Sequence, residues 1–201
     1  MADTTAHPAH AAPVEHTSTG LPSTKLAMWI FLASECLLFG ALITTYVLYR
    51  GSSTAPPYPS EIFDIRYTSV SSFVLLASSL TMVLALTAAE KRDFARMRLW
   101  LVATALLGMT FVGGQCYEFT EFFYEGLKLQ SNLFGCTFFV LTGFHGTHVT
   151  VGVIWLWSLF MMAVRGKLPV ERALDVEIAG LYWHFVDVVW IAIFTLVYLI
   201  Q

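Results

Sequence analysis

The stretch TGFHGTHVTVG, residues 142–152, places two histidines and three glycines inside a long apolar run that extends from Leu133 to Val164. If that run crosses a bilayer, each imidazole needs a partner within the protein, because hydrocarbon offers no hydrogen bonds. Glycines beside polar residues are also typical of close helix contacts in membranes. The stretch therefore marks either a functional site or an interhelical contact.

The composition indicates a membrane protein. Hydrophobic residues make up 57% of the 201 residues, charged residues only 12%, and the mean hydropathy is +0.67. Soluble domains usually carry about 25% charged residues. A net charge of −3 without a basic cluster argues against nucleic acid as a partner.

Five apolar stretches have about the length that a bilayer-spanning helix requires. They are residues 26–49, 69–89, 99–117, 133–164 and 178–200. We therefore predict an all-α integral membrane fold, with five transmembrane helices forming a bundle over residues 25–201. Residues 1–24 are rich in Ala, Thr, Pro and His without periodicity, which is typical of a disordered tail.

The distribution of Lys and Arg predicts the orientation of the bundle. One side carries eight basic residues and the other side carries three: Lys25, Lys91, Arg92, Arg96, Arg98, Arg165, Lys167 and Arg172, against Arg50, Arg66 and Lys128. The positive-inside rule then places the N-terminus and the tail in the cytoplasm and the C-terminus outside. The loop after the third stretch, which is acidic, would be external.

Several ionisable residues fall at similar depths if the midpoint of each stretch marks the bilayer centre. With a rise of about 1.5 Å per residue, Glu35, His148 and Asp187 lie within about 5 Å of that centre. His145 lies about 6 Å outward and His184 about 7–8 Å inward. A carboxyl and an imidazole at one depth can satisfy each other in a low dielectric, and the depths favour pairing of Glu35 with His148 over His145.

The remaining polar residues have structural interpretations as well as functional ones. His145 and His148 share a helix face with Gly152, which could admit a neighbouring backbone. Asp187 could satisfy His184 or Trp190. Two further candidates stand near the outer end of the third stretch: Gln115, about 10 Å outward, and Glu118, which we expect to be solvated at the interface.

Glu35 is the strongest candidate for a function. A lone charged carboxyl near the bilayer centre costs several kcal/mol, so Glu35 should be protonated or paired. Either state suits proton handling or a lipid contact. We expect no metal site and no catalytic site in the chain.

Four strings resemble subunit III of the haem-copper terminal oxidases. They are WIFLASECLLFG at 29–40, GGQCYEF at 113–119, GCTFFVLTGFHGTHVTVG at 135–152 and YWHFVDVVW at 182–190. The resemblance covers nearly the whole membrane portion and leaves out the tail. Glu35 matches the family's buried glutamate that reacts with hydrophobic carbodiimides, and His148 matches a histidine of the family's helix string.

The resemblance implies a non-redox subunit in the bacterial cytoplasmic membrane. It would bind no haem or copper itself, and would lie beside the catalytic subunit I, which carries those groups, with subunit II in the same complex. The family's subunit III is thought to support proton uptake, to slow inactivation during turnover and to hold structural phospholipid.

Two types of oxidase are compatible with five helices. Many members of the family resemble seven-helix proteins whose first two helices form a lipid-filled cleft, and this chain begins at what resembles the third. Five-helix versions occur among bacterial quinol oxidases and some cytochrome c oxidases. The strings around Glu35 and at 182–190 favour the cytochrome c type, with a quinol oxidase subunit as the alternative.

Two readings from other classes remain as alternatives. A free-standing proton-coupled transporter would also place Glu35 and Asp187 at the midplane, but such proteins usually show internal repeats or broken helices, and the sequence shows no convincing repeat. A haem b electron carrier could use His148 and His184 as axial ligands. If the chain were a transporter, the isolated protein would move a solute. If it were a haem carrier, the isolated protein would show a haem spectrum.

Overall fold

The structure, a computed structural model, describes residues 20–52, 63–166 and 173–200. Five long helices are present in this part of the chain: α1 Ser23–Tyr49, α2 Ile65–Glu90, α3 Phe94–Tyr124, α4 Leu133–Val164 and α5 Ala173–Ile193, which continues as a π-helical segment, Phe194–Leu199. Each is long and apolar enough to cross a membrane. The predicted all-helical, five-span membrane fold is confirmed.

Polar caps fix where three of the helices begin. The Asp64 carboxylate accepts hydrogen bonds from two backbone N–H groups at the start of α2. The Asp93 carboxylate accepts one from a backbone N–H group at the start of α3. The Asn132 side chain accepts from the Gly135 N–H at the start of α4. Such caps satisfy N–H groups that have no partner within the helix.

The helices form a bundle in which α2, α3 and α4 are successive neighbours. α5 packs against both α2 and α4 and is the most buried helix, with 50% of its spanning window inside the protein. α1 contacts α4 and α5, and only 11% of its window is buried. α1 is therefore the edge helix, and most of its apolar surface lies on the outside of the bundle.

Hydrogen bonds join α2 to α5 along their length. Ser72 accepts from the Trp190 indole at 2.8 Å, and Ser78 accepts from the Trp183 indole at 2.9 Å. The Ser79 hydroxyl lies 2.8 Å from Nδ1 of His184. The serines of α2 thus satisfy the polar atoms of large α5 side chains in the interior of the bundle.

Trp183 fills the centre of the bundle because two glycines leave room for it. A Cβ added to Gly108 on α3 or to Gly152 on α4 would lie within 3.0 Å of its ring. We expected Gly152 to admit a neighbouring backbone, and this expectation is wrong: the space is occupied by an aromatic side chain.

Two polar contacts attach α1 to α5. Near the start of both helices, the Lys25 ammonium pairs with the Glu177 carboxylate. At the other end, the Arg50 guanidinium donates to the backbone carbonyl of Ile200. The edge helix is thus held at both ends.

Two predictions concern parts of the chain outside this description. Residues 1–19, most of the predicted tail, are not among the described residues, nor are Lys167 and Arg172, which contribute to the charge count. The helix already includes Ser23 and Thr24, which we had assigned to the tail. The orientation of the bundle stays a prediction.

Candidate functional site at the contact of α1 and α4

Glu35 on α1 and His148 on α4 form a polar pair between the two helices. Oε2 of Glu35 lies 3.1 Å from Nε2 of His148, and only 14% and 16% of the two side chains are exposed. This is the pairing that the depth estimate favours. No other ion pair among the described residues lies between α1 and α4.

The hydrogen bond of the other ring nitrogen of His148, Nδ1, determines where the pair can hold a proton. Nδ1 lies 2.8 Å from the Phe144 carbonyl, which can only accept, so Nδ1 carries a hydrogen. Nε2 then either accepts a proton from a neutral Glu35 or donates one to its carboxylate. The pair can therefore hold one transferable proton in either of two positions.

A cavity of about 380 Å³ gives access to this pair from the membrane-facing surface. Its walls are mainly apolar and include Phe31 and Val151, both exposed, and Trp155. The Tyr182 hydroxyl donates to the His148 carbonyl at 2.9 Å, which ties α5 to the same site. The cavity could take a hydrophobic reagent or a lipid chain.

His145 lies on the same face of α4 but has a different environment. Its ring stacks on Trp190 with centroids 4.9 Å apart and contacts Phe39 and Phe111 edge-on. The side chain is fully buried, and neither ring nitrogen has a hydrogen-bond partner in the described part of the chain. His145 therefore acts as a packed aromatic ring.

Asp187 does not satisfy His184 or Trp190, because serines of α2 bond both. The Asp187 carboxyl is 2% exposed, and its oxygens make no hydrogen bond to any described residue. The Ser79 hydroxyl lies near the carboxyl, but its hydrogen-bond partner is His184, at 2.8 Å. The expectation that Asp187 pairs along its own helix is wrong.

Glu118 is buried, and our expectation that it would be solvated is wrong. Its carboxylate accepts from the Thr68 hydroxyl at 2.7 Å and from the Gln115 amide at 3.1 Å. The Tyr198 hydroxyl, on the π-helical segment, interacts with the same group. Because α3 continues to Tyr124, Glu118 lies within the helix and faces its neighbours rather than the loop.

The alternative of a haem held by His148 and His184 gains no support from the geometry. His148 is engaged by Glu35 and the Phe144 carbonyl, and His184 by Ser79. Separately from a haem, no group of three or more His, Cys, Asp or Glu side chains that could hold a metal ion is present among the described residues.

Sequence reasoning missed several residues of the polar network. The α2 serines repeat at seven-residue spacing, Ser71 with Ser78 and Ser72 with Ser79, and this repeat was the available signal for a buried helix face. Tyr182 gave no such signal, because its partner is a backbone carbonyl of another helix.

The chain is similar to known proteins along nearly its whole length. A family model described as cytochrome c oxidase subunit III matches residues 3–201. Cytochrome c oxidase subunit 3 of Bacillus sp. (strain PS3) is 38% identical over 189 residues, which cover 94% of this chain and 91% of that protein. Quinol oxidase subunit 3 of Bacillus subtilis (strain 168) is 37% identical over 188 residues, which cover 94% and 92%.

Proposed function

Because the chain belongs to the cytochrome c oxidase subunit III family, we propose that it is the non-redox subunit III of a bacterial haem-copper terminal oxidase of the cytochrome c oxidase type. It is a multi-pass membrane protein and works within an oxidase complex in aerobic respiratory electron transport. The proposed location is the bacterial cytoplasmic membrane, because the relatives named above come from bacteria. The proposed partners are the catalytic subunit I, which would carry the haem and copper, and subunit II.

The proposed role is to support proton uptake by the catalytic subunit and to stabilise it during turnover. The observation that carries this role is the Glu35–His148 pair, which can hold one transferable proton close to the membrane-facing surface. The adjoining cavity, with its apolar walls, suits a structural phospholipid chain. This subunit would have no catalytic site of its own.

The experiment compares three preparations of the purified oxidase during continuous turnover: the complete complex, the complex depleted of this chain, and the complex carrying Glu35→Gln. We expect equal initial rates, and faster inactivation of the depleted and Glu35→Gln forms than of the complete complex. Equal lifetimes of all three preparations would contradict the proposed role. Rapid inactivation of the depleted form alone would show that the subunit protects the complex without needing the Glu35 carboxyl.

A second candidate differs only in the electron donor. The relative named as a quinol oxidase subunit is about as similar to this chain as the one named as a cytochrome c oxidase subunit. Oxygen consumption by the purified complex with reduced cytochrome c, or with a reduced quinol, distinguishes the two. We expect activity with cytochrome c, and activity with quinol alone would favour the second candidate.

A further inference from the structure

A second chain of polar groups leads from the surface of the bundle to Asp187 and shares no residue with the Glu35–His148 pair. It consists of the Asp187 carboxyl, the Ser79 hydroxyl of α2 and the His184 ring of α5, whose Nδ1 lies 2.8 Å from the Ser79 oxygen. We propose that these three groups form a proton relay, through which the buried Asp187 carboxyl exchanges its proton with water at the surface of the bundle.

The surroundings of Asp187 are those of a carboxyl that carries its proton. The side chain is 2% exposed, and neither oxygen has a hydrogen-bond partner among the described residues. The lysines and arginines of the described residues stand near the helix ends, so no cation offsets a charge at this depth. An isolated carboxylate in an apolar interior is far more costly than the neutral acid. Asp187 therefore holds a proton that the Glu35–His148 pair does not use.

Ser79 differs from Ser72 and Ser78 of the same helix in the bonds of its hydroxyl. Those two hydroxyls donate to backbone carbonyls of α2 while they accept from the indoles of α5. The Ser79 hydroxyl makes no such bond to a described backbone carbonyl, and it lies near the Asp187 carboxyl as well as against His184. A hydroxyl carries one hydrogen and two lone pairs, so it can accept from one neighbour while it donates to the other. Ser79 can therefore link the two side chains.

His184 brings the relay to a groove of about 460 Å³ between α1 and α5. This groove shares no lining residue with the cavity at Glu35. Because Ser79 bonds Nδ1 from the α2 side, the opposite nitrogen, Nε2, is turned towards the groove, and no described residue bonds it. The rest of the groove wall is mainly apolar and includes Trp29 and Cys36 on α1 and Leu181 and Val188 on α5. Water that enters the groove would find its hydrogen-bond partner at Nε2.

One transfer moves three hydrogens and releases one proton. Asp187 gives its hydrogen to Oγ of Ser79 as the Ser79 hydrogen moves to Nδ1 of His184, and the hydrogen on Nε2 moves to a water molecule in the groove. Asp187 is then a carboxylate, Ser79 is again a hydroxyl, His184 is neutral with its hydrogen on Nδ1, and the water has become hydronium. The reverse steps reload the carboxyl.

The relay would give the subunit a second transferable proton, on the other flank of α1 from Glu35. Use of this proton by the oxidase would rest on the proposed role in proton uptake, whereas the exchange itself does not. The exchange is measured without turnover, so its absence would leave the oxidase assignment untouched. Equal lifetimes of the turnover preparations would likewise leave the exchange untouched.

The test is hydrogen–deuterium exchange of the Asp187 carboxyl, followed by infrared spectroscopy of the chain purified with its bound subunits. The carbonyl band of protonated Asp187 is the band that Asp187→Asn removes, and its shift after transfer to deuterium oxide reports the exchange. We expect the exchange to be at least about tenfold slower in Ser79→Ala and in His184→Phe than in wild type, because it then requires a local opening of the bundle. Equal rates in wild type and both variants would overturn the proposal. A spectrum in which Asp187→Asn removes no such band would also overturn it, because the carboxyl would then be ionised.

A control variant separates loss of the relay from a change in packing. Ser71→Ala removes a half-buried hydroxyl about two turns away on α2, and it should exchange at the wild-type rate. Looser packing would speed the exchange, so a slower rate with an unchanged thermal transition identifies a broken relay. Ser79→Ala and His184→Phe alter different helices, so either variant decides the question if the other does not fold. Exchange that is slowed equally by Ser71→Ala and Ser79→Ala would contradict the proposal.

Discussion

The two histidines of α4, three residues apart, illustrate how local surroundings separate one residue type into two roles. His148 is bonded at both nitrogens, to Glu35 and to the Phe144 carbonyl. His145 is enclosed by aromatic rings and has no hydrogen-bond partner among the described residues. His148 is therefore the histidine that can take part in proton transfer, whereas His145 packs against aromatic rings.

Glu35 should be the carboxyl that reacts with a hydrophobic carbodiimide. The reagent attacks protonated carboxyl groups that it can reach from the membrane, and Glu35 lines the cavity there, whereas Asp187 is 2% exposed. We expect labelling of this subunit in wild type and Asp187→Asn, and none in Glu35→Gln, whose amide can still hydrogen-bond to His148. Mass spectrometry of the labelled subunit locates the adduct. Labelling that persists in an assembled Glu35→Gln complex would assign the reactive carboxyl elsewhere.

His145 should tolerate replacement by phenylalanine, and His148 should not. His145→Phe keeps an aromatic ring on Trp190 and removes two unsatisfied polar atoms, so the stability should not fall. His148→Phe leaves Glu35 without its partner, at a cost of about 1–3 kcal/mol. Thermal denaturation of the two variants measures this difference. A larger loss for His145→Phe would reveal a polar partner of His145 outside the described residues.

The depth arithmetic predicted the Glu35–His148 contact because both residues lie near the middle of their helices. The expectations for Asp187 and Glu118 did not come from depth, and they failed because the surroundings of these residues depend on which helices are neighbours. α2 supplies Ser79 near Asp187 and Thr68 beside Glu118, and the sequence of a single helix does not reveal its neighbours. Depth can be estimated from sequence, but the direction of a side chain within the bundle cannot.

At the scale of the helices, the contact between α2 and α5 combines small polar and large aromatic side chains. Serine hydroxyls of α2 satisfy two indoles and one imidazole of α5. Because lipid competes equally well for apolar surface, such hydrogen bonds and close packing determine which helices associate. α5 thereby becomes the central helix of the bundle.

Gly152→Ala should destabilise the bundle, and Gly146→Ala should not. A Cβ at residue 152 would lie 2.9 Å from the Trp183 ring, which Ser78 and Gly108 hold from other sides. Overpacking of this kind costs about 1–3 kcal/mol. A Cβ at residue 146 meets nothing within 4 Å in the described structure, and alanine favours helix over glycine by about 1 kcal/mol. Thermal denaturation in detergent measures the stability of the two variants. An equal loss of stability in both would contradict the packing of Trp183 against Gly152.

The number of helices could be read from the sequence, whereas their ends could not. Hydropathy ended the third stretch at residue 117, but α3 continues to Tyr124 through Glu118 and Glu121. Hydropathy detects contact with lipid, whereas a helix can continue through polar residues that neighbouring helices or water satisfy. This is why the environment of Glu118, near the end of α3, was predicted wrongly.

At the scale of the whole molecule, the predicted orientation follows from charge alone. Lys and Arg are concentrated at one end of the bundle, and the acidic residues at the end of α3, Glu118, Glu121 and Glu125, lie at the other. Under the positive-inside rule, the loop between α3 and α4 is external. The Lys25–Glu177 pair is then at the cytoplasmic end of α1 and α5.

Single cysteines should report this orientation in intact cells. Cys36, Cys116 and Cys136 are first replaced by serine, and then Glu125→Cys or Lys91→Cys is introduced. An impermeant thiol reagent added outside should label Glu125→Cys and leave Lys91→Cys unlabelled until the cells are opened. The reverse pattern would place the N-terminus outside.

Purification of the tagged chain from native membranes, followed by an optical spectrum and subunit identification, shows whether this chain is a subunit of an oxidase. We expect the chain to be recovered with a haem- and copper-bearing subunit and with oxygen-reducing activity. Recovery of the folded chain by itself, without haem and without oxidase activity in the bound fraction, would contradict its assignment to an oxidase complex.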